Sequence, residues 1–250
     1  MIGVIFMTPY ILLLFHLLNN DNFKMIITDR IIDTAIGSAI AFFANLLLVP
    51  AWEHEKISDY MKQAIKSNRD YFSVIAAAFT GNPVTNTVYK VSRKNAFVAL
   101  ANLSDAFTRM LSEPKSKQLH SKELHQFVVL NHMLTSHIAT LSYYVKPLAE
   151  RFQSADFVPL INNISNKLEL SEELLLQTNE TTIPPATPFE NKIQDRLQQL
   201  LEKRRNELKQ GIEQSDTRKL LSSFKPLADQ FNFIDNISTD IKKLSANWKN

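Results

Sequence analysis

The sequence predicts an all-α protein, a two-span membrane helical hairpin followed by a soluble cytoplasmic antiparallel helical bundle, on three observations. From Ile31 to Val49 the chain carries one charge, Asp33. At about 1.5 Å per residue such a helix reaches roughly the 30 Å of a bilayer hydrocarbon core. Glycine supplies only 4 of 250 residues and long Val/Thr alternation is missing, while Leu, Lys, Glu, Gln and Asn favour long helices over sheet. Beyond Trp52, apolar residues recur three and four apart, the spacing that gathers them on one helix face.

The first apolar run, Ile2 to Leu18, is interrupted only by Pro9 and His16. It is on the short side for a span, and it lacks the basic start and small-residue cleavage site of a secretory signal. A chain that opens directly in apolar sequence fits the tail of a longer membrane protein or a short relative of one. Asn19 to Asp29 reads as a polar turn, so residues 1–52 form a hairpin with spans at about 2–18 and 31–49. Asp33 lies one turn from Arg30 and can pair with it at the headgroup level, where an ionised side chain costs far less than at the bilayer centre. Pro50 stops the helix, and Trp52 sets an indole at the interface. Thr34, Gly37, Ser38, Ala41 and Asn45 share one side. That small, weakly polar face suits close packing on other membrane helices, from the rest of a longer protein or from a second copy.

Charge divides unevenly. Lys24 and Arg30 against Asp21, Asp29 and Asp33 leave residues 1–52 at −1, so the remainder carries +4 of the net +3. That is far from a nucleic-acid footprint, and no nucleic acid is expected as partner. The turn between the spans holds two basic residues, whereas Lys56, Lys62, Lys66 and Arg69 follow Trp52. The excess favours a cytoplasmic C-terminal region for this two-span chain.

The soluble part divides into a bundle over 53–177, a linker over 178–188 and a helical pair over 189–250 that docks on the bundle. Ile57, Met61, Ile65, Phe72, Ile75 and Phe79 stripe a helix from about Glu53 to Thr80, which Gly81-Asn82-Pro83 ends. The next runs to Glu113 on Val91, Phe97, Leu100, Leu103, Phe107 and Met110. A third, Ser121 to Phe152, carries Phe127, Leu130, Leu134, Ile138, Leu141 and Val145, with Pro147 expected to kink or end it. The fourth starts near Asp156 and takes Pro159 in its first turn. Pro184, Pro185 and Pro188 make the linker extended. Beyond it lie a narrow-striped, highly charged helix and a final one from Thr217 to about Trp248, whose Phe224, Phe231 and Ile234 form the docking surface.

Chemistry is sparse. Cysteine is absent, so no disulfide framework or thiolate site exists. The six histidines, at 16, 54, 120, 125, 132 and 137, include no pair at the three- or four-residue spacing of a helical metal site. There is no phosphate-cradling glycine loop and no Gly-x-Ser-x-Gly. No enzyme activity, metal or cofactor is expected. Lys203-Arg204-Arg205 is flanked by Glu202 and Glu207 and reads as a solvated helix face.

Arg30-x-x-Asp33-Thr34-x-x-Gly37, entering a span that ends Pro50-x-Trp52, is followed by Asn95-Ala96-Phe-x-Ala-Leu-x-Asn102-Leu and by Arg109-Met110-x-x-Glu113-Pro114. This arrangement resembles the C-terminal portion of the FUSC (fusaric acid resistance-like) family, more narrowly its YccS/YhfK-type bacterial inner-membrane branch. The resemblance covers most of the chain and is firmest from Arg30 to Pro114. It implies a larger protein with two blocks of membrane helices, each followed by a cytoplasmic helical region, and efflux of small aromatic acids. With two predicted spans, one copy of this chain does not supply the six or so helices of a block. The alternative is a non-transporting membrane-anchored scaffold that binds a protein partner. The lipid bilayer and other membrane helices are the expected partners in either case.

Overall fold

The computed structural model describes Tyr10, Leu13, Leu14, Leu17 and residues 23–47, 53–82, 85–118, 120–152, 154–176 and 191–248. Every regular element among them is helical. The chain forms two compact units, Met1–Ala51 and Trp52–Asn250.

In the first unit, α1 spans Phe23–Leu47. It starts within the segment expected to be a polar turn, because Phe23 to Asp29 contains no glycine or proline and extending a helix by about two turns is cheap once it is nucleated. Thr28 Oγ1 already donates to the Lys24 carbonyl at 2.9 Å. Large side chains project all round, Ile31, Ile40, Phe42 and Phe43 among them. Among the described residues, no helix is long and apolar enough to cross a membrane. The 25 residues of α1 include Lys24, Asp29, Arg30 and Asp33, and the expected span 2–18 lies almost wholly outside the described residues, as do Val49, Pro50 and Trp52.

The second unit holds α2 (Glu53–Phe79), α3 (Asn86–Leu111), a 3₁₀ turn (Lys115–Lys117), α4 (Ser121–Phe152), α5 (Phe157–Leu176), α6 (Lys192–Lys209) and α7 (Asp216–Asn247). α2 packs on α3, α4 and α5, and α7 packs on α4, α5 and α6. Helices α2 and α7 reach each other across the middle through aromatic rings. Phe231 lies 6.2 Å from Phe72, 5.6 Å from Phe79 and 5.1 Å from Phe157 between centroids. Edge and tilted contacts of this kind add to the area that the rings bury. Phe224 sits 5.4 Å from Phe152 and, like Phe231 and Ile234, is wholly buried in the core that α2 and α5 share. The segment expected as a linker, 178–188, lies outside the described residues.

Local sequence explains the helix ends. Thr85, Asn191 and Ser215 accept from Val88 N, Gln194 N and Arg218 N and so cap α3, α6 and α7. Gly81 and Gly211 adopt φ of 91° and 76°, which lets Asn82 N reach Ala77 O and Ile212 N reach Glu207 O. These six-to-one closures satisfy carbonyls that α2 and α6 would leave unpaired. The helix expected to reach Glu113 stops at Leu111, where Ser112 N turns back to the Arg109 carbonyl at 2.9 Å. Pro147 does not end α4. The helix continues to Phe152, whose packing on Phe224 anchors the last turn against the lost backbone donor.

Candidate functional site

The residues singled out in α1 lie on open surface within their own unit. Arg30, Asp33, Thr34, Gly37, Ser38 and Ala41 are exposed, and a Cβ built on Gly37 would meet nothing within 4 Å. The Asn45 side chain, Pro50 and Trp52 lie outside the described set. Among the described residues no ion pair joins Arg30 to Asp33. Long helical side chains lean toward the N-terminus, which carries the guanidinium away from a carboxylate one turn further on. Thr34 Oγ1 instead donates to the Arg30 carbonyl at 2.7 Å.

The α3 residues split into two sets. Ala96 and Met110 are fully buried on the inner face with Leu103, and the small Ala96, Ala99 and Ala106 let α3 lie close over α2 and α4. Asn95, Asn102 and Arg109 are exposed and fall seven residues apart, on one line along the helix. Glu113 is half-buried. Gln118 Nε2 donates to its carbonyl at 2.7 Å and to that of Leu111 at 2.9 Å, and Pro114 leads into the 3₁₀ turn. Asn95 borders a shallow groove of about 310 Å³ between α2 and α3, with Lys66 and Asp70 on the opposite wall. A second groove of about 440 Å³ runs between α4 and α7, past His125, Val129, Lys243 and Leu244.

Several polar assemblies went unnoticed in the sequence. Asn68 Nδ2 donates to Asn131 Oδ1 at 3.3 Å, Thr135 Oγ1 to Asn68 Oδ1 at 2.8 Å, and Asn131 Nδ2 to the Phe127 carbonyl at 2.9 Å. All three side chains are buried and tie α2 to α4. Lys167 Nζ and Asn163 Nδ2 both donate to Asp235 Oδ1, at 2.7 and 2.8 Å, across α5 and α7. At the α6–α7 turn, Glu207 accepts from Ser215, Thr217 and Arg204. The two hydroxyls, then the guanidinium, hold its carboxyl below the ordinary value of 4.5. The Tyr71 hydroxyl faces Tyr89 and Ser142, and Tyr89 Oη lies 3.3 Å from Ser142 Oγ. Burial pushes the Tyr71 phenol up to about 12. Burial raises the Tyr89 phenol as well, but contacts with Ser142, Tyr71 and Arg93 outweigh it and lower the value. A polar residue inside an apolar stripe, as at Asn68 between Ile65 and Phe72, is the one sequence signal that points to such assemblies.

His120, His125, His132 and His137 are engaged with neighbours. His132 Nε2 lies 3.0 Å from Ser104 Oγ and His137 Nδ1 2.9 Å from Gln230 Oε1, while His120 packs on Trp248 and His125 on Phe107. Among the described residues no three potential metal ligands gather.

An apolar helix joined in sequence to a helical bundle, with sequence motifs on α1 and α3 and no reactive cluster among the described residues, defines a class that comparison narrows. Residues 1–44 match the family model described as "Fusaric acid resistance protein-like". The chain is 28% identical over 173 residues to an uncharacterized protein of Haemophilus influenzae, covering 68% of this chain and 24% of that protein. It is 28% identical over 146 residues to the inner membrane protein YccS of Escherichia coli, 58% of this chain and 20% of YccS. Over 86 residues it is 34% identical to the uncharacterized protein ORF2 of Neisseria gonorrhoeae, 34% of this chain and 21% of that protein. These matches support a FUSC/YccS-type family member. The chain spans less than a quarter of the length of each of these relatives. No solved structure matches.

Proposed function

We propose that the chain is the C-terminal, membrane-proximal and cytoplasmic part of a FUSC/YccS-like integral membrane protein of a bacterial inner membrane, which exports small aromatic acids. The observation that carries this reading is the family match over residues 1–44, which falls on the apolar run and on α1, whose described side chains are left uncovered by their own unit. In this reading the spans 2–18 and 31–49 form a hairpin, the face from Thr34 to Asn45 packs on other membrane helices, and the bundle from α2 to α7 assembles or gates the complex. Lys56, Lys62, Lys66 and Arg69 hold that bundle on the cytoplasmic side.

The absence of cysteine makes orientation testable. Asn20→Cys is expected to react with a membrane-impermeant thiol reagent in intact cells, and Ser116→Cys only after lysis. Labelling at 116 in sealed cells overturns the cytoplasmic assignment. In the native gene context, loss of residues 53–250 is expected to raise cellular accumulation of a labelled hydroxybenzoate. Unchanged accumulation would favour the scaffold reading instead.

A further inference from the structure

We propose that the outward face of α3 is a self-complementary interface through which two copies of this chain pair antiparallel. The inner face of α3 is buried on α2 and α4, yet Phe97 and Val98 on the other side stay 43% and 48% exposed, with Ala101 beside them. At about 100° per residue, Lys94, Val98, Ala101 and Asp105 fall within an arc of about 60° on that side. Among the described residues neither Lys94 nor Asp105 has an ion-pair partner.

The order of these residues selects the occupant. Val98 and Ala101 straddle a midpoint, and Lys94 and Asp105 lie at equal distances on either side of it with opposite charge. Asn95 and Asn102 are centred within one residue of the same point. Laid antiparallel on a second copy about that midpoint, each Lys94 meets the other copy's Asp105. The Val98 and Ala101 pairs then cross at the two-fold axis, and each Asn95 stands level with the opposite Ser104 at the edge of the contact. Lys90 falls level with the opposite Arg109, about 100° round the helix from it, and beside the opposite Thr108. A two-fold contact requires this reciprocity of one surface with itself, whereas an unrelated partner would impose no palindrome. A parallel arrangement would set Lys94 on Lys94 and Asp105 on Asp105. The small Ala101 at the crossing allows the axes to approach to about 8–10 Å, the ordinary helix-packing distance.

The cysteine-free chain reports this directly in membranes from cells that produce it whole. Ala101→Cys is expected to give a disulfide-linked dimer on mild oxidation. Lys94→Cys alone and Asp105→Cys alone are expected to stay uncrosslinked, because about 16 Å of helix rise separates each from its own symmetry mate. Differently tagged Lys94→Cys and Asp105→Cys chains made together should link to one another. Lys94→Asp is expected to reduce the Ala101→Cys dimer several-fold, and adding Asp105→Lys to restore it. A self-link at Lys94→Cys would overturn the antiparallel pairing. Absence of the Ala101→Cys dimer, in a chain with unaltered trypsin resistance, would overturn the interface altogether.

Discussion

Tyr71 and Asn68 stand one turn apart in α2, and both are fully buried, but they meet opposite fates. The Asn68 amide is satisfied by Asn131 and Thr135, whereas the Tyr71 hydroxyl has no hydrogen-bond partner although it faces Tyr89 and Ser142. An unpaired buried hydroxyl is a net cost, so Tyr71→Phe is expected to leave stability unchanged or raise it by about 1 kcal/mol. The same phenol makes stability depend on alkaline pH. Its folded value, about 12, stands above the unfolded value of 10.0, so its contribution is whole below pH 10 and is lost as pH rises toward 12. Thermal melts across that window should fall less steeply for Tyr71→Phe than for the native chain. An equal decline in both would show that burial of this group does not control the alkaline limb. Neither residue's role was legible in the sequence, where the stripe from Ile57 to Phe79 accounts for the apolar positions alone. Which amide finds a partner depends on α4, more than 60 positions away.

Helices were the legible level, because a stripe of apolar residues at three- and four-residue spacing has one simple way of being buried. The stripes of α2, α4 and α5 lie on buried faces, and the caps at Thr85, Asn191 and Ser215 use the residue types that helix starts favour. Prolines were less legible. Pro147 lies within α4 and Pro226 within α7, each helix continuing because tertiary contacts on either side outweigh one missing donor. For α1 the informative residue is Gly37, where an added Cβ meets open space in the chain taken alone. If that face packs on other spans, Gly37→Leu is expected to weaken the association by about 1–3 kcal/mol, the usual cost of overpacking. Phe43→Leu should do much less. The comparison is a detergent titration of the assembled protein, and equal resistance of the two variants would mean that the Gly37 face is not an interface.

At the scale of the second unit, four rings from three helices form one aromatic centre: Phe72 and Phe79 of α2, Phe157 of α5 and Phe231 of α7. Phe231→Ala is expected to cost about 3–5 kcal/mol, read as a lower denaturant midpoint, because the cavity would be lined by three rings that cannot all collapse into it. A loss below 1 kcal/mol would show that the centre repacks without α7. In sequence, three prolines within five positions stand between Phe157 and Phe231 and mark a break in the helices. The stripe marks Phe224, Phe231 and Ile234 as a docking surface, but periodicity does not say which rings of the bundle they meet. The same placement of Phe231 sets a schedule during synthesis. About 74 positions separate it from Phe157. At roughly 5–20 residues per second the ribosome takes about 4–15 s to supply them. Hydrophobic collapse takes up to about 100 μs for a chain of about 100 residues. For that whole interval Phe72, Phe79 and Phe157 of the nascent protein lack the ring that α7 supplies between them.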